Sequence, residues 1–301
     1  MKLSLNMGNI TCCYDFEKSL TMARDAGFEA GDYSLMDLVE DDQPFLGENY
    51  RALAEQERAI CDRVGIPVTQ THAPFTFTAK QWDDPNTYRD VVLPRMIRSL
   101  EVSGILGAEV CVIHPIHHSV YRGHEEELFE RNMDFYRTLI PYAKEFGVKI
   151  GVENMFQHDG LRGHIIADTC STSAEFIRYI DTLNSDSVTA CLDVGHVALP
   201  MSDETAADVI RALGHDRLGA LHIHDNDFKR DRHDLPYLGK LDWPAITKAL
   251  GEIDYKGDFT YEVNGVFLFD REESFHPVGL KVMADVGHYL VSQVEKNRPA
   301  K

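Results

Sequence analysis

The chain has 301 residues, 44% of them hydrophobic, enough for one large domain or two small ones. Its 49 acidic side chains outnumber 30 basic ones, a formal charge of −19. That balance counts against nucleic acid as a partner, because phosphate contacts need a basic face, and favours a small substrate or a cation; with no run of about 18 apolar residues, no membrane span is expected.

In chain order, short β-rich runs alternate with amphipathic helical ones. KLSLNM (2–7) is followed by FEKSLTMARDAGF, EAGDYSL (29–35) by NYRALAEQERAICDRVG, and PVTQTHAP (67–74) by VVLPRMIRSLEVSGILG. EVCVIHP (109–115) leads to LFERNMDFYRTLIPYAKEFG, VKIGVENM (148–155) to SAEFIRYIDTL, and VTACLDVGH (188–196) to ETAADVIRALG. LGALHIHDND (218–227) precedes WPAITKALGEI, and DFTYEVN (258–264) precedes the closing VGLKVMADVGHYLVSQVEKN. Several helical runs end in glycine (Gly27, Gly65, Gly107, Gly147, Gly214), as helix C-termini do. The alternation predicts the α/β class and a single-domain (β/α)8 TIM barrel over 1–301. A doubly wound sheet would be expected to carry a glycine-rich phosphate turn after an early strand, and none occurs.

The six cysteines (Cys12, Cys13, Cys61, Cys111, Cys170, Cys191) form no CxxC pair. They read as reduced thiols of a cytoplasmic protein, and adjacent Cys12 and Cys13 make poor chelators. The first residues show neither an apolar core nor a cleavage site of a secretion signal.

In a barrel, chemistry sits where the strands end. The third apparent strand ends in His72, the fourth in His114, the fifth in Glu153 and the sixth in Asp193, with His196 just beyond. The seventh carries His222 and His224, the eighth Glu262. Side-chain alternation turns Val152, Leu192, Leu221 and Tyr261 outward and these polar residues inward. A lone strand-end histidine is ordinarily just hydrogen-bonded. Six successive strands with one polar residue each point instead to a single site, and inward carboxylates need a partner such as a metal ion. HIHDNDFKRDRHDLP (222–236) adds three histidines and four aspartates, a density that fits either a metal site or a solvated acidic loop.

THAP (71–74), VIHP (112–115), GVEN (151–154), LDVGH (192–196), LHIHDND (221–227), DRHDLP (231–236), LDW (241–243) and YEVN (261–264) together resemble the xylose isomerase-like barrel superfamily. That superfamily includes sugar isomerases and epimerases, dehydratases and endonuclease IV. The resemblance implies a metal-dependent sugar or sugar phosphate isomerase/epimerase holding one divalent ion on Glu153, Asp193, His222 and Glu262. Three carboxylates and one imidazole favour Mn²⁺, with Mg²⁺, Co²⁺ or Zn²⁺ as other occupants. His72, His114, His196, Asp231 and His233 would then bind substrate. In endonuclease IV the matching nine residues hold three zinc ions, so a trinuclear phosphodiesterase is the alternative, beside a dehydratase or lyase of the same superfamily. Relatives form homo-oligomers that complete one another's pockets, although no stretch here marks such an edge.

For an isomerase or epimerase, the expected reaction removes a proton next to a carbonyl through a metal-stabilised enediolate and returns one. Glu153 and Glu262 are the expected base and acid, with neither role assigned to one of them. A Schiff-base aldolase would need a lysine at a strand's C-terminal end, and Lys149 lies at the wrong end. A barrel that only binds would be expected to have lost a ligand, and none is lost. Lys229, Arg230 and Arg232 sit among aspartates and read as a solvated loop, as do Asp225, Asp227 and Asp234. His117, His118 and His124 are candidates for a lid, with a plain surface loop the simpler reading. Phe75, Phe77 and Trp82 are candidates for an apolar wall against a sugar, with core packing the simpler reading.

Overall fold

A computed structural model describes residues 1–117, 120–199, 203–263, 268 and 270–299. Among the described residues there are ten strands: β1 (Leu3–Asn6), β2 (Ala30–Ser34), β3 (Val68–His72), β4 (Val110–Ile113), β5 (Lys149–Glu153), β6 (Phe156–Asp159), β7 (His164–Ala167), β8 (Val188–Asp193), β9 (Leu218–His222) and β10 (Phe259–Tyr261). Eight of them form one parallel sheet in the order β10-β1-β2-β3-β4-β5-β8-β9. A parallel bridge between Ile223 and Tyr261 joins its two edges. There Ile223 N–H donates to Thr260 at 2.8 Å and Glu262 N–H donates to Ile223 at 3.1 Å. The expected TIM barrel is what the chain forms.

Among the described residues, eight helices of ten residues or more surround it: α1 (Phe16–Ala26), α2 (Tyr50–Val64), α3 (Leu93–Leu106), α4 (Glu125–Phe146), α5 (Ser173–Leu183), α6 (Ala206–Arg217), α7 (Trp243–Glu252) and α8 (His276–Lys296). Local chemistry sets their ends. Thr172 accepts from Glu175 N–H to start α5, whose Phe176, Tyr179, Ile180 and Leu183 recur at helical spacing and are buried. Gly27, Gly65, Gly107 and Gly147 end α1 to α4 in the left-handed conformation. Gly214 differs: it bends the chain within α6 with φ 67° rather than ending it.

All eight expected strand runs end short, three of them by three residues or more. The run expected over 188–196 ends at Asp193, whose carboxylate accepts His196 N–H at 2.8 Å and caps a helical turn, Val194–Val197. The run expected over 218–227 ends at His222, and the run expected over 258–264 at Tyr261. Asn264 of YEVN lies outside the described residues. A hairpin, β6 with β7, follows β5 and was not expected. Its signal is the Asp159–Gly160 pair between two β-rich runs.

Alternation along the barrel strands puts Leu192, Leu221, Ile150 and Val152 into the large core shared with the helices. Val110, Val112, Cys191 and Ala220 form a separate small cluster inside the barrel. Two residues further along β5, β8 and β9 come Glu153, Asp193 and His222, on the same inward face.

Candidate metal centre and active site

Glu153, Asp193, His222 and Glu262 stand at or just past the ends of β5, β8, β9 and β10, and each offers a ligand atom within 4.8 Å of the others'. His222 Nδ1 lies 3.0 Å from Glu153 Oε1 and 3.3 Å from Glu262 Oε2. Glu153 is buried and Glu262 half-buried, so Glu262 is the carboxylate that the mouth reaches. Asn154 locks the two central strand ends together: its side chain accepts Asp193 N–H at 2.8 Å and donates to Asp193 C=O at 3.0 Å.

Among the described residues, three further groups adjoin this one. His72, His222 and Glu262 form the first, which shares two residues with it. His72, His114 and Glu153 converge in the second, and His196, His224, Asp231 and His233 in the third, again with ligand atoms within 4.8 Å. The nine residues expected from the sequence as ligands or substrate contacts are therefore all at the barrel mouth. His224, to which the sequence assigned no role, joins them with Nε2 2.9 Å from Asp193. Gly195 makes room for it, since a Cβ there would stand 2.1 Å from His224 Cε1.

Three of the rings have their protons placed by backbone. His72 Nδ1 is 2.8 Å from Ala73 C=O, His196 Nδ1 2.8 Å from Asn154 C=O, and His233 Nδ1 2.7 Å from Glu262 C=O. A carbonyl only accepts, so each Nδ1 carries the proton. Each Nε2 then faces a carboxylate: Glu153 at 3.4 Å, Asp231 at 3.6 Å and Asp231 at 2.8 Å, respectively. Lone pair opposite carboxylate is repulsive unless a proton or a cation lies between them.

The electrostatics express the same conflict. Burial works against a charged His196, yet Asp193 and Asp231 raise it to about 10. His233 is raised to about 9, burial being outweighed by Asp231 and Glu262. Burial favours a protonated Asp193, but His196 and His224 hold it down at about 2. Burial likewise opposes the charge on Glu153, which His222 and His114 keep well below the usual carboxylate range. His114 goes the other way, pushed down to about 4 by burial. Glu153 Oε2, Asp231 Oδ1 and His222 Nε2 are buried without a hydrogen-bond partner. Oxygen-rich, histidine-bearing and incompletely satisfied, the residues fit a divalent cation.

A family model described as xylose isomerase-like TIM barrel matches residues 20–275. The chain belongs to this family. Among curated relatives, a D-psicose 3-epimerase of Enterocloster bolteae is 33% identical over 121 residues, 40% of this chain and 35% of that enzyme. An L-ribulose 3-epimerase of Mesorhizobium japonicum is 23% identical over 252 residues, covering 82% and 75% of the two chains. The chain spans between about a third and two thirds of the length of the first curated relatives it matches. Among solved structures, a D-tagatose 3-epimerase-like protein superposes with TM-score 0.75 at 18% identity, covering 98% of this chain and 99% of that one. The IolI protein with a zinc atom superposes with TM-score 0.71 at 18% identity over the full length of both. These likenesses show the xylose isomerase-like fold.

Several expectations need revision in this barrel. Asp225 is no solvated loop residue: it is buried and accepts from Asn226, Tyr237, Lys240 and Leu241 N–H and from the Trp243 indole, at 2.8–3.0 Å. Its sequence neighbours disguise it, because its donors lie up to eighteen residues away. Asp227 and Asp234 do sit in the loop, paired with Arg230 and Arg232. His117 is held 3.1 Å from buried Asp168, His124 precedes α4, and His118 lies outside the described residues. Phe77 and Trp82 are core residues, whereas Phe75 stacks on His114 with ring centroids 4.4 Å apart. All three line a cavity of about 220 Å³ beside His114 and His117. Cys12 and Cys13 are exposed and free. Among the described residues, no helix is long and apolar enough to cross a membrane. One buried acid beneath the site, Asp32 on β2, was missed altogether.

Proposed function

We propose that the chain is a divalent-metal-dependent sugar isomerase or epimerase that moves a proton at a carbon next to a carbonyl. The observation that carries this is the convergence of Glu153, Asp193, His222 and Glu262 within 4.8 Å, on four neighbouring strand ends of the barrel. The sugar 3-epimerases among its relatives support the substrate class. Those four residues would hold the ion, Mn²⁺ by donor chemistry, with Mg²⁺, Co²⁺ or the Zn²⁺ seen in IolI as other occupants. When bound, the ion supplies Lewis-acid stabilisation of negative charge on a substrate carbonyl oxygen.

The protein's own groups do the rest. Glu153 and Glu262 approach from β5 and the end of β10, so one carboxylate takes the proton from one face of the substrate and the other returns one. His72, His196 and His233, with Nδ1 fixed by carbonyls, turn Nε2 toward the mouth. There His196 and His233, kept charged by the carboxylates facing them, would donate to sugar oxygens, and Asp231 fixes the mutual orientation of those two. The substrate is a small sugar or sugar phosphate.

Metal analysis and isotope exchange test this together. About one Mn²⁺ per chain, and solvent deuterium appearing at the carbon beside the carbonyl of a turned-over ketose, are expected. No deuterium in the product of an active substrate would sink the proton-transfer reading. A second reading is favoured by the group His196, His224, Asp231 and His233: a polynuclear zinc phosphodiesterase. Two or three Zn²⁺ per chain with cleavage of a phosphodiester would establish that reading in place of the first.

A further inference from the structure

His222 is the exception among the mouth histidines. Where His72, His196 and His233 present Nε2 to the site, His222 presents Nδ1, 3.0 Å from Glu153. No backbone carbonyl fixes its other nitrogen: Nε2 is fully buried and has no hydrogen-bond partner. The group facing that nitrogen is Asp32, whose Oδ2 lies 3.9 Å away and which is itself fully buried.

Asp32 is held in turn. Asn6 Nδ2 donates to Asp32 Oδ2 at 3.1 Å. The direction of that amide is set, because Asn6 Oδ1 accepts Gly8 N–H at 3.0 Å and leaves only Nδ2 for the carboxylate. Strand register places the two residues side by side, Asn6 opposite Asp32 on neighbouring strands. The other oxygen, Asp32 Oδ1, has no partner. A carboxylate is expensive to bury, and a single amide donor is poor compensation for it.

We propose that Asp32, pinned by Asn6, is the positioning residue for His222: it accepts the Nε2–H of that ring and so reserves the Nδ1 lone pair for the ion. This rests on the metal-site reading above. A shift of about 1 Å closes 3.9 Å to hydrogen-bond distance. For His222 the carboxylate then does what backbone carbonyls do for the other three rings. Fixing a ligand's tautomer from behind in this way is typically worth about 10–100-fold in metal affinity.

The test is titration of dialysed, full-length protein with Co²⁺, followed by its visible absorption. D32N and D32L are each expected to weaken Co²⁺ binding by about 10–100-fold with unchanged circular dichroism, while T260V, on the neighbouring inward face, keeps the wild-type affinity. Affinities of D32N and D32L within twofold of wild type would overturn the proposal, as would an equal loss in T260V. Should the Asp32 variants fail to fold, the wild type decides. With ¹⁵N-labelled histidine and Zn²⁺ bound, the ring signal lost in H222Q must show a protonated Nε2 and a metal-bound Nδ1; the opposite assignment refutes the proposal. Failure of the wild type to bind Co²⁺ or Zn²⁺ is a different result, since it removes the metal reading itself and the present one with it.

Discussion

The two halves of the barrel interior are built from different materials. Under β4, β8 and β9 the inward Val110, Val112, Cys191 and Ala220 cluster, beside Gly151 of β5, into an apolar floor. Along β10, β1, β2 and β3 they are Thr260, Ser4, Asn6, Asp32 and Gln70, all buried and all polar. Ser4 Oγ, Thr260 Oγ1, Gln70 Nε2 and Asp32 Oδ1 have no hydrogen-bond partner there. An apolar floor is close-packed and holds what stands on it in one place. It lies beneath Glu153, Asp193 and His222, three of the four residues proposed to hold the ion. The polar half faces the back of His222, where an acceptor is wanted. The difference teaches that a barrel core can be divided by duty, rigidity on one side and polar support on the other.

The largest effect is expected at the proposed ligands above the apolar half. Glu153→Gln removes a charge on which His72, His114 and His222 all converge. Deuterium wash-in should fall by about 10²–10⁴-fold, the usual worth of a general base, and bound metal measured after dialysis should fall with it. Next, Ala220→Asp puts an unpaired charge into the apolar floor. Urea unfolding should register a loss of about 3–5 kcal/mol, and a smaller loss than about 1 kcal/mol would mean that the floor is wet.

A pH series sharpens the comparison at the mouth. His196 and His233 are raised to about 10 and about 9 from an ordinary 6.5 by the carboxylates facing them. Raised histidines stabilise the fold fully below 6.5 and progressively less as pH climbs through their folded values. In chelator, the urea midpoint should therefore fall between pH 6.5 and 10, and a midpoint rising over that range would contradict the pairing. The smallest effect belongs to the polar half. Thr260→Val deletes an unpartnered hydroxyl at constant shape, so stability should change by less than about 1 kcal/mol.

Much of this was legible before any coordinates. The alternation of β and helical runs set the barrel, and the parity of side chains along each strand set which acids and imidazoles face inward. Glu153, Asp193 and His222 could be read that way because each is flanked by aliphatic residues that must face the helices. Asp32 could not: its strand was expected, but it lies in mid-strand between Gly31 and Tyr33, without aliphatic flanks to mark its face and away from the strand end where chemistry was sought. Its meaning depends on Asn6 and His222, 26 and 190 residues away. Asp225 was hidden for the same reason, since its donors come from a loop and a helix start that follow it. His224 was visible as a mouth residue, but only the approach of Gly195 shows what it packs against.

The five donors gathered by Asp225 have a consequence for how the protein is loaded. They tie the segment carrying Asp231 and His233 to Trp243 at the start of α7 through protein groups alone. Unlike small domains that are unfolded until zinc arrives, this one would exist as a finished receptor before it meets an ion. Under the proposed function, loading would then be a late event, separable from synthesis and reversible without unfolding. The identity of the bound ion would follow the supply in the cell at that moment, and the same polypeptide could be found with different ions in cells grown on different metals.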